Sequence, residues 1–142
     1  MTKLNIFISG ASLGIVNELK AIGYNVVVAK NVFDDCVNDI GTIKAWSLVD
    51  VEQIKKCDVH IVCLSNFDLI YRVCEVGYSV GVGKLVLVYE KSRENVHTNL
   101  PYHCHMEVTK YENFDWHKLL AHLERLAKGK AAWEREVMMD VN

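Results

Sequence analysis

An open, doubly wound parallel sheet with helices on both faces is the fold this sequence predicts, and three observations predict it. The segments Val59-His60-Ile61-Val62-Cys63-Leu64 and Leu85-Val86-Leu87-Val88 are apolar almost without interruption, the pattern of strands buried on both faces. Stretches of helical period separate the apolar runs, so strands and helices alternate along the chain. The chain has 142 residues, room for one domain with a sizeable core and too few for two. Right-handed crossovers then favour a single-domain, flavodoxin-like α/β sheet of about five strands.

Residues 4–9 read as a short apolar strand and Gly10-Ala11-Ser12 as a turn. Leu13, Val16, Leu19 and Ile22 recur at helical spacing, and Gly23 stops that helix. Asn25-Val26-Val27-Val28-Ala29 reads as a buried strand. Residues 30–47 carry Asp34, Asp35 and Asp39 and no clean period, which suggests a mobile loop with a short helix. Ser47 then caps a helix over 48–56. Residues 59–64 and 85–89 are the third and fourth strands, with a helix over 68–82 between them. Pro101 precedes a fifth strand near 105–110. Trp116, Leu119, Leu120, Leu123 and Leu126 form one stripe of a last helix, which continues past Gly129 into 131–138. A domain over 1–128 with a helical tail over 129–142 is the expected organisation.

Composition narrows the function. The formal net charge is −2, with acids and bases interspersed, so a duplex nucleic-acid surface is not expected. The N-terminal apolar run Ile6-Phe7-Ile8 is too short for a signal peptide or a membrane helix. Five cysteines are scattered at 36, 57, 63, 74 and 104, and they read as buried thiols of a reducing cytoplasm rather than a disulfide framework.

Two carboxylates are the main functional candidates. Glu75 lies between the apolar runs 58–64 and 85–88, at the carboxyl edge of the expected sheet, where such folds bind ligands. Asp50 stands upstream, ahead of the third strand. Two carboxylates at one strand edge suit glycosidic-bond chemistry, one to attack or stabilise the sugar carbon and one to manage protons or hydroxyls. For each, a solvated carboxylate in a helix first turn, favoured by the helix dipole, is the competing account. Gly10-Ala11-Ser12-Leu13-Gly14 offers either backbone N–H groups for an anion or a tight turn, the turn being the stronger account of Gly14. Asp58 reads as a structural hydrogen-bonding residue at a strand mouth.

Other candidates are weaker. His103-Cys104-His105 has no second ligand pair nearby, so no metal site is expected. His117 and His122 have no useful ligand spacing. Cys63 and Cys74 lack an evident base and read as small core residues. Trp133 and Met138-Met139 belong either to a partner-docking helix or to an amphipathic tail packed on its own domain.

The sequence resembles the nucleoside 2-deoxyribosyltransferase family, including 2'-deoxynucleoside 5'-phosphate N-hydrolase-like proteins. Ser9-Gly10-Ala11-Ser12 matches its first loop. Asp50 followed by Asp58-Val59-His60-Ile61-Val62 matches its Asp and its Asp-initiated strand. Glu75-Val76-Gly77-Tyr78-Ser79 and Gly83-Lys84-Leu85-Val86 match its Glu-Leu-Gly-Tyr-Ala block and the stretch that follows, and Asn99-Leu100 its cross-subunit loop. The resemblance covers roughly residues 4–125. It implies a Glu75 nucleophile acting on a 2'-deoxynucleoside or its 5'-monophosphate, with Asp50 steering the leaving base or binding sugar. Gly10, Ala11, Ser12, Asp68, Arg72 and Asn99 would bind substrate, without a metal or organic cofactor, in a homodimer or higher homo-oligomer. The segment Asp68-Leu69-Ile70-Tyr71-Arg72-Val73-Cys74 lacks the glycine the family carries there, and Asp68 is one position off. Arg72 in that segment either pairs with a phosphate or fills the pocket. Two other functions fit the same features: a nucleotide-binding protein without turnover, and an interaction module using the tail.

Overall fold

Apolar runs too short for helices pair into one sheet, and the amphipathic segments between them cover it. The strands are β1 (Asn5–Ser9), β2 (Asn25–Val28), β3 (Val59–Leu64), β4 (Leu85–Glu90) and β5 (Met106–Lys110). The helices are α1 (Leu13–Ile22), α2 (Ile40–Lys56), α3 (Leu69–Gly81) and α4 (Trp116–Val141). This computed structural model describes residues 3–10, 13–29, 40–64, 69–90, 106–110 and 115–141. The strands are all parallel, in the order β2-β1-β3-β4-β5, which is the flavodoxin-like order.

Side chains alternate between the two faces of each strand, and the clusters follow that alternation. Ile6, Ile8, Val59, Ile61 and Leu87 meet Val16 and Leu19 of α1 and Leu119 and Leu123 of α4 in one buried cluster. The opposite face meets α2 and α3 in two smaller clusters. Val62, Val86 and Val88 pack with Val76, while Phe7 packs with Ile54 and Cys57.

Helix ends are set by local chemistry. Gly23 has φ of 113°. Its N–H bonds Lys20 O, and Tyr24 N–H bonds Leu19 O, a Schellman ending that favours glycine. Gly83, with φ of 79°, ends α3 in the same way through Val80 O and Ser79 O. Asp115 Oδ1 accepts from the N–H groups of His117 and Lys118 at 2.9 and 3.3 Å, capping α4. At the amino edge of the sheet, Asp58 Oδ2 accepts from Asn5 N–H and from Lys130 Nζ, both at 2.8 Å. That is the structural role expected of Asp58, and it also ties α4 to β1.

Several sequence expectations are corrected. α2 begins at Ile40, so Ser47 lies inside the helix and is not at its amino end. Gly41 and the β-branched Ile40, Thr42 and Ile43 weaken the local helical signal. β2 is an edge strand, with Val27 and Val28 about two-fifths exposed. A run of valines signals a strand without saying whether it lies in the middle of the sheet. Gly14 sits in α1 rather than in a turn. Cys74 is exposed on α3, whereas Cys57 and Cys63 are buried as expected. α4 continues through Gly129 without a break, and Trp133 on it is exposed. No helix among the described residues is long and apolar enough to cross a membrane.

At Gly10 space forbids a side chain. It has φ of +75°, and an added Cβ would stand 2.5 Å from the Cys63 carbonyl oxygen. Gly10→Ala should therefore cost about 2–3 kcal/mol or more, from backbone strain plus a backbone clash. At Gly23, φ +113°, nothing lies within 4 Å of the added Cβ, so Gly23→Ala should cost the backbone strain alone, about 1–3 kcal/mol, and less than Gly10→Ala. Equal urea midpoints for the two variants would contradict this account.

Candidate functional site

Glu75 opens no helix. It sits in the middle of α3, 7 % exposed, so the account of a solvated first-turn carboxylate fails. Arg72, Glu75 and Ser79 are spaced three and four residues apart and so share one helical stripe. All three are buried. They meet a matching polar stripe on the sheet. Ser9 shares a face with Phe7, and His60 shares one with Val62. Phe7 and His60 are register partners, with ring centroids 4.9 Å apart. A polar seam thus runs between the two small apolar clusters of the α2–α3 face.

The seam is densely bonded. Arg72 Nη1 donates to Glu75 Oε1 at 2.5 Å. Ser9 Oγ donates to Glu75 Oε2 at 3.0 Å. Ser9 Oγ also lies 2.9 Å from His60 Nε2, and His60 Nδ1 lies 2.6 Å from Ser79 Oγ. Both oxygens of the carboxylate are therefore held, one by a cation and one by a hydroxyl.

Burial sets the protonation states. It pushes the Glu75 carboxyl up to about 7, against the pull of Arg72 and the Ser9 hydrogen bond, and the negative charge of Asp50 raises it further. Burial also drives the His60 imidazole down to about 3, helped by the Arg72 charge. His60 Nε2 stands 3.9 Å from Glu75 Oε2. A neutral imidazole makes no ion pair there, and Ser9 bridges the two instead. A carboxyl that titrates near neutrality, poised between both forms, suits proton and nucleophilic chemistry.

Asp50 belongs to the same side of the sheet. It is buried on α2 at 2 % exposure, α2 packs against α3, and its charge is felt at Glu75. Arg72, also buried, is a partner of Glu75 and not a surface residue of its helix. Gly10 closes β1 at the carboxyl edge, one residue from Ser9. Its close approach to Cys63 explains the glycine without a ligand. Ala11, Ser12, Asp68 and Asn99 lie outside the described residues, as do Cys36, Pro101 and His103-Cys104-His105.

Sequence reasoning missed Ser9, His60 and Ser79 as members of the seam. Ser9 appeared only as part of a loop match, and His60 only within a strand. A usable signal existed. A histidine interrupts the apolar run 59–64, and Ser79 follows Glu75 by one helical turn.

No family model matches the chain, and no curated protein matches it. Solved structures do. A CMP N-glycosidase from Clostridium botulinum superposes with a TM-score of 0.52 at 14 % identity, over 85 % of this chain and 97 % of its own. A 2-deoxyribosyltransferase from Bacillus psychrosaccharolyticus superposes with a TM-score of 0.54 at 19 % identity, over 80 % and 95 %. At these identities the likeness is one of fold, and it is the fold that the family resemblance implied.

The opposed shifts of Glu75 and His60 make a linkage prediction. The folded carboxyl holds its proton to about 7 and the unfolded one only to about 4.5. Stability from this group is full below 4.5 and is lost as pH rises to 7, by up to about 1.4 kcal/mol per pH unit. His60 does the reverse: its folded value near 3 against 6.5 unfolded adds stability as pH rises through that window. The stability of the wild type relative to Glu75→Gln should therefore fall between pH 4.5 and 7 and be flat on either side. Urea melts across that range read it, and a difference that rises with pH would refute the assignment.

Proposed function

We propose that the protein cleaves the N-glycosidic bond of 2'-deoxynucleosides or their 5'-monophosphates through Glu75, by hydrolysis or by transfer to a second base. The observation that carries this reading is the buried Glu75 carboxyl, gripped at both oxygens by Arg72 and Ser9, with Asp50 within electrostatic range. The kinds of enzyme that share the fold, an N-glycosidase and a deoxyribosyltransferase, support the same class of reaction.

In this mechanism a Glu75 carboxylate oxygen bonds to the anomeric carbon as the C–N bond breaks. The bonding pair leaves with the base, which takes its proton from solvent, steered by the Asp50 carboxylate. The transition state carries oxocarbenium character that the carboxylate stabilises, and a sugar without a 2'-hydroxyl reaches it more easily. Water, or the nitrogen of a second base, then attacks the same carbon. Glu75 departs as carboxylate, and the attacking group loses its proton to the Asp50 carboxylate or to solvent. Arg72 and the Ser9 hydroxyl stabilise that returning charge, as positioned donors do at a developing anion. Gly10, Ala11, Ser12, Asp68 and Asn99 line the substrate site in this reading. Residues 1–128 form the catalytic unit, 129–142 the helical tail, and a cytoplasmic homodimer the working form. One observation favours a second reading, nucleotide binding without turnover. Arg72 occupies the carboxylate that would have to attack.

A panel of deoxynucleosides, ribonucleosides and their monophosphates, with and without a free acceptor base, separates the two readings. Released or exchanged base is the expected result, and nucleotide recovered intact from a stoichiometric complex would favour binding alone. Glu75→Ala should lower turnover by about 10²–10⁴-fold or more while remaining folded. Base release by that variant at the wild-type rate would end the nucleophile hypothesis. Because only the ionised carboxyl attacks, kcat/KM should fall about tenfold per pH unit below about 7. A profile flat from pH 5 to 8 would contradict a Glu75 nucleophile.

A further inference from the structure

Ser79, His60, Ser9 and Glu75 come from two strands and a helix and join in one unbranched chain. Ser79 Oγ meets His60 Nδ1 at 2.6 Å. His60 Nε2 meets Ser9 Oγ at 2.9 Å, and Ser9 Oγ meets Glu75 Oε2 at 3.0 Å. Ser9, His60 and Ser79 are fully buried, so each proton in the chain has few choices.

Counting donors solves the direction. A hydroxyl has one hydrogen, a neutral imidazole has one N–H and one acceptor nitrogen, and a carboxylate only accepts. With Glu75 ionised, the Ser9 hydrogen goes to Oε2. Ser9 then accepts from His60, which puts the imidazole proton on Nε2. Nδ1 is left as the acceptor, and Ser79 donates to it. With Glu75 protonated the order reverses. Arg72 already donates to Oε1, so the carboxyl proton sits on Oε2 and points at Ser9. Ser9 turns its hydrogen to Nε2, the imidazole carries its proton on Nδ1, and Ser79 accepts from it and turns its own hydrogen away. The two states differ by one proton, taken up at Glu75, and the imidazole is neutral in both.

We infer that His60 is a positioning residue for Glu75, and that the imidazole tautomer is locked through Ser9 to the ionisation state of the carboxyl. The Nε2–H form aims the positive end of its dipole at Ser9 and so favours the carboxylate, while the other tautomer favours the acid. Among the described residues, two charged groups act on this chain: Arg72 on α3 pairs with Glu75, and Asp50 on α2 acts on it electrostatically. From β1, Phe7 closes the imidazole face without a charge. The catalytic meaning rests on the proposed Glu75 nucleophile; the linkage of tautomer to carboxyl does not.

The test is nuclear magnetic resonance of the full chain, with 15N-labelled histidine and 13C-labelled glutamate carboxyls, titrated through the Glu75 transition. His60 should be protonated on Nε2 above the transition and on Nδ1 below it, and cationic at neither end. Ser9→Ala removes the link between the two groups and should leave the His60 tautomer unchanged across the Glu75 transition. His60→Leu should raise the Glu75 midpoint by about one pH unit, a tenfold loss of the ionised form near pH 6. His60→Gln, whose amide can donate to Ser9, should restore part of it. A His60 held in one tautomer throughout the wild-type titration, or a folded Ser9→Ala chain whose tautomer still switches with Glu75, would overturn the inference. Base release by wild type together with an unlinked tautomer would defeat this inference alone. A linked tautomer in a protein that turns over nothing would support it and defeat the proposed function.

Discussion

The structure on the α2–α3 side of the sheet is organised around one carboxylate taken out of water. Burying Glu75 without compensation would cost several kcal/mol. The compensation is local and specific: a guanidinium on one oxygen, a hydroxyl on the other, and a neutral imidazole behind the hydroxyl. Neither partner restores the ordinary carboxyl behaviour, since burial outweighs both and leaves the group titrating near neutrality. Such a residue is held firmly in place and still changes its ionisation near neutral pH, and these two properties are hard to combine on a solvated surface.

The two faces of the sheet divide the work accordingly. The α1–α4 face carries one continuous apolar cluster, built from both helices and from β1, β3 and β4. Each fully buried aliphatic side chain there contributes about 1.5–3 kcal/mol of transfer free energy. Among the described residues the opposite face carries two small clusters, with the seam of Ser9, His60, Glu75, Ser79 and Arg72 between them. A polar network of this kind stabilises only if every member is satisfied, which ties the positions of β1, β3 and α3 to one another. Phe7 and Val62 flank the seam on the sheet.

Much of the fold could be read from the chain because its signals are local. Apolar strand runs, helical stripes, Gly23 as a stop and parallel order from alternation all follow from short windows of residues. The errors have local causes as well. Gly41 and its β-branched neighbours concealed the first half of α2, and the valines of β2 looked the same as those of a central strand. At the site, Glu75 stood out as a carboxylate between apolar runs, and Asp50 as its upstream companion.

His60 did not stand out, because in a strand covered on both faces the period-two alternation that would assign its side chain is hidden by apolar neighbours. Its partners lie 51 and 19 residues away, and the hydroxyl that links it to Glu75 is 66 residues from that carboxylate. The sequence by itself determined the strands, most of the helical spans and their parallel order, and it singled out Glu75 and Asp50 as candidates, since these readings depend on neighbours along the chain. Only the tertiary structure decided that Glu75 is buried in mid-helix, that Arg72 is its counter-ion, and that Ser9, His60 and Ser79 form a chain behind it. Hydrogen bonds and burial depend on which residues meet in space, and for this seam that is settled by the register of β1 on β3 and by the way α3 lies across them.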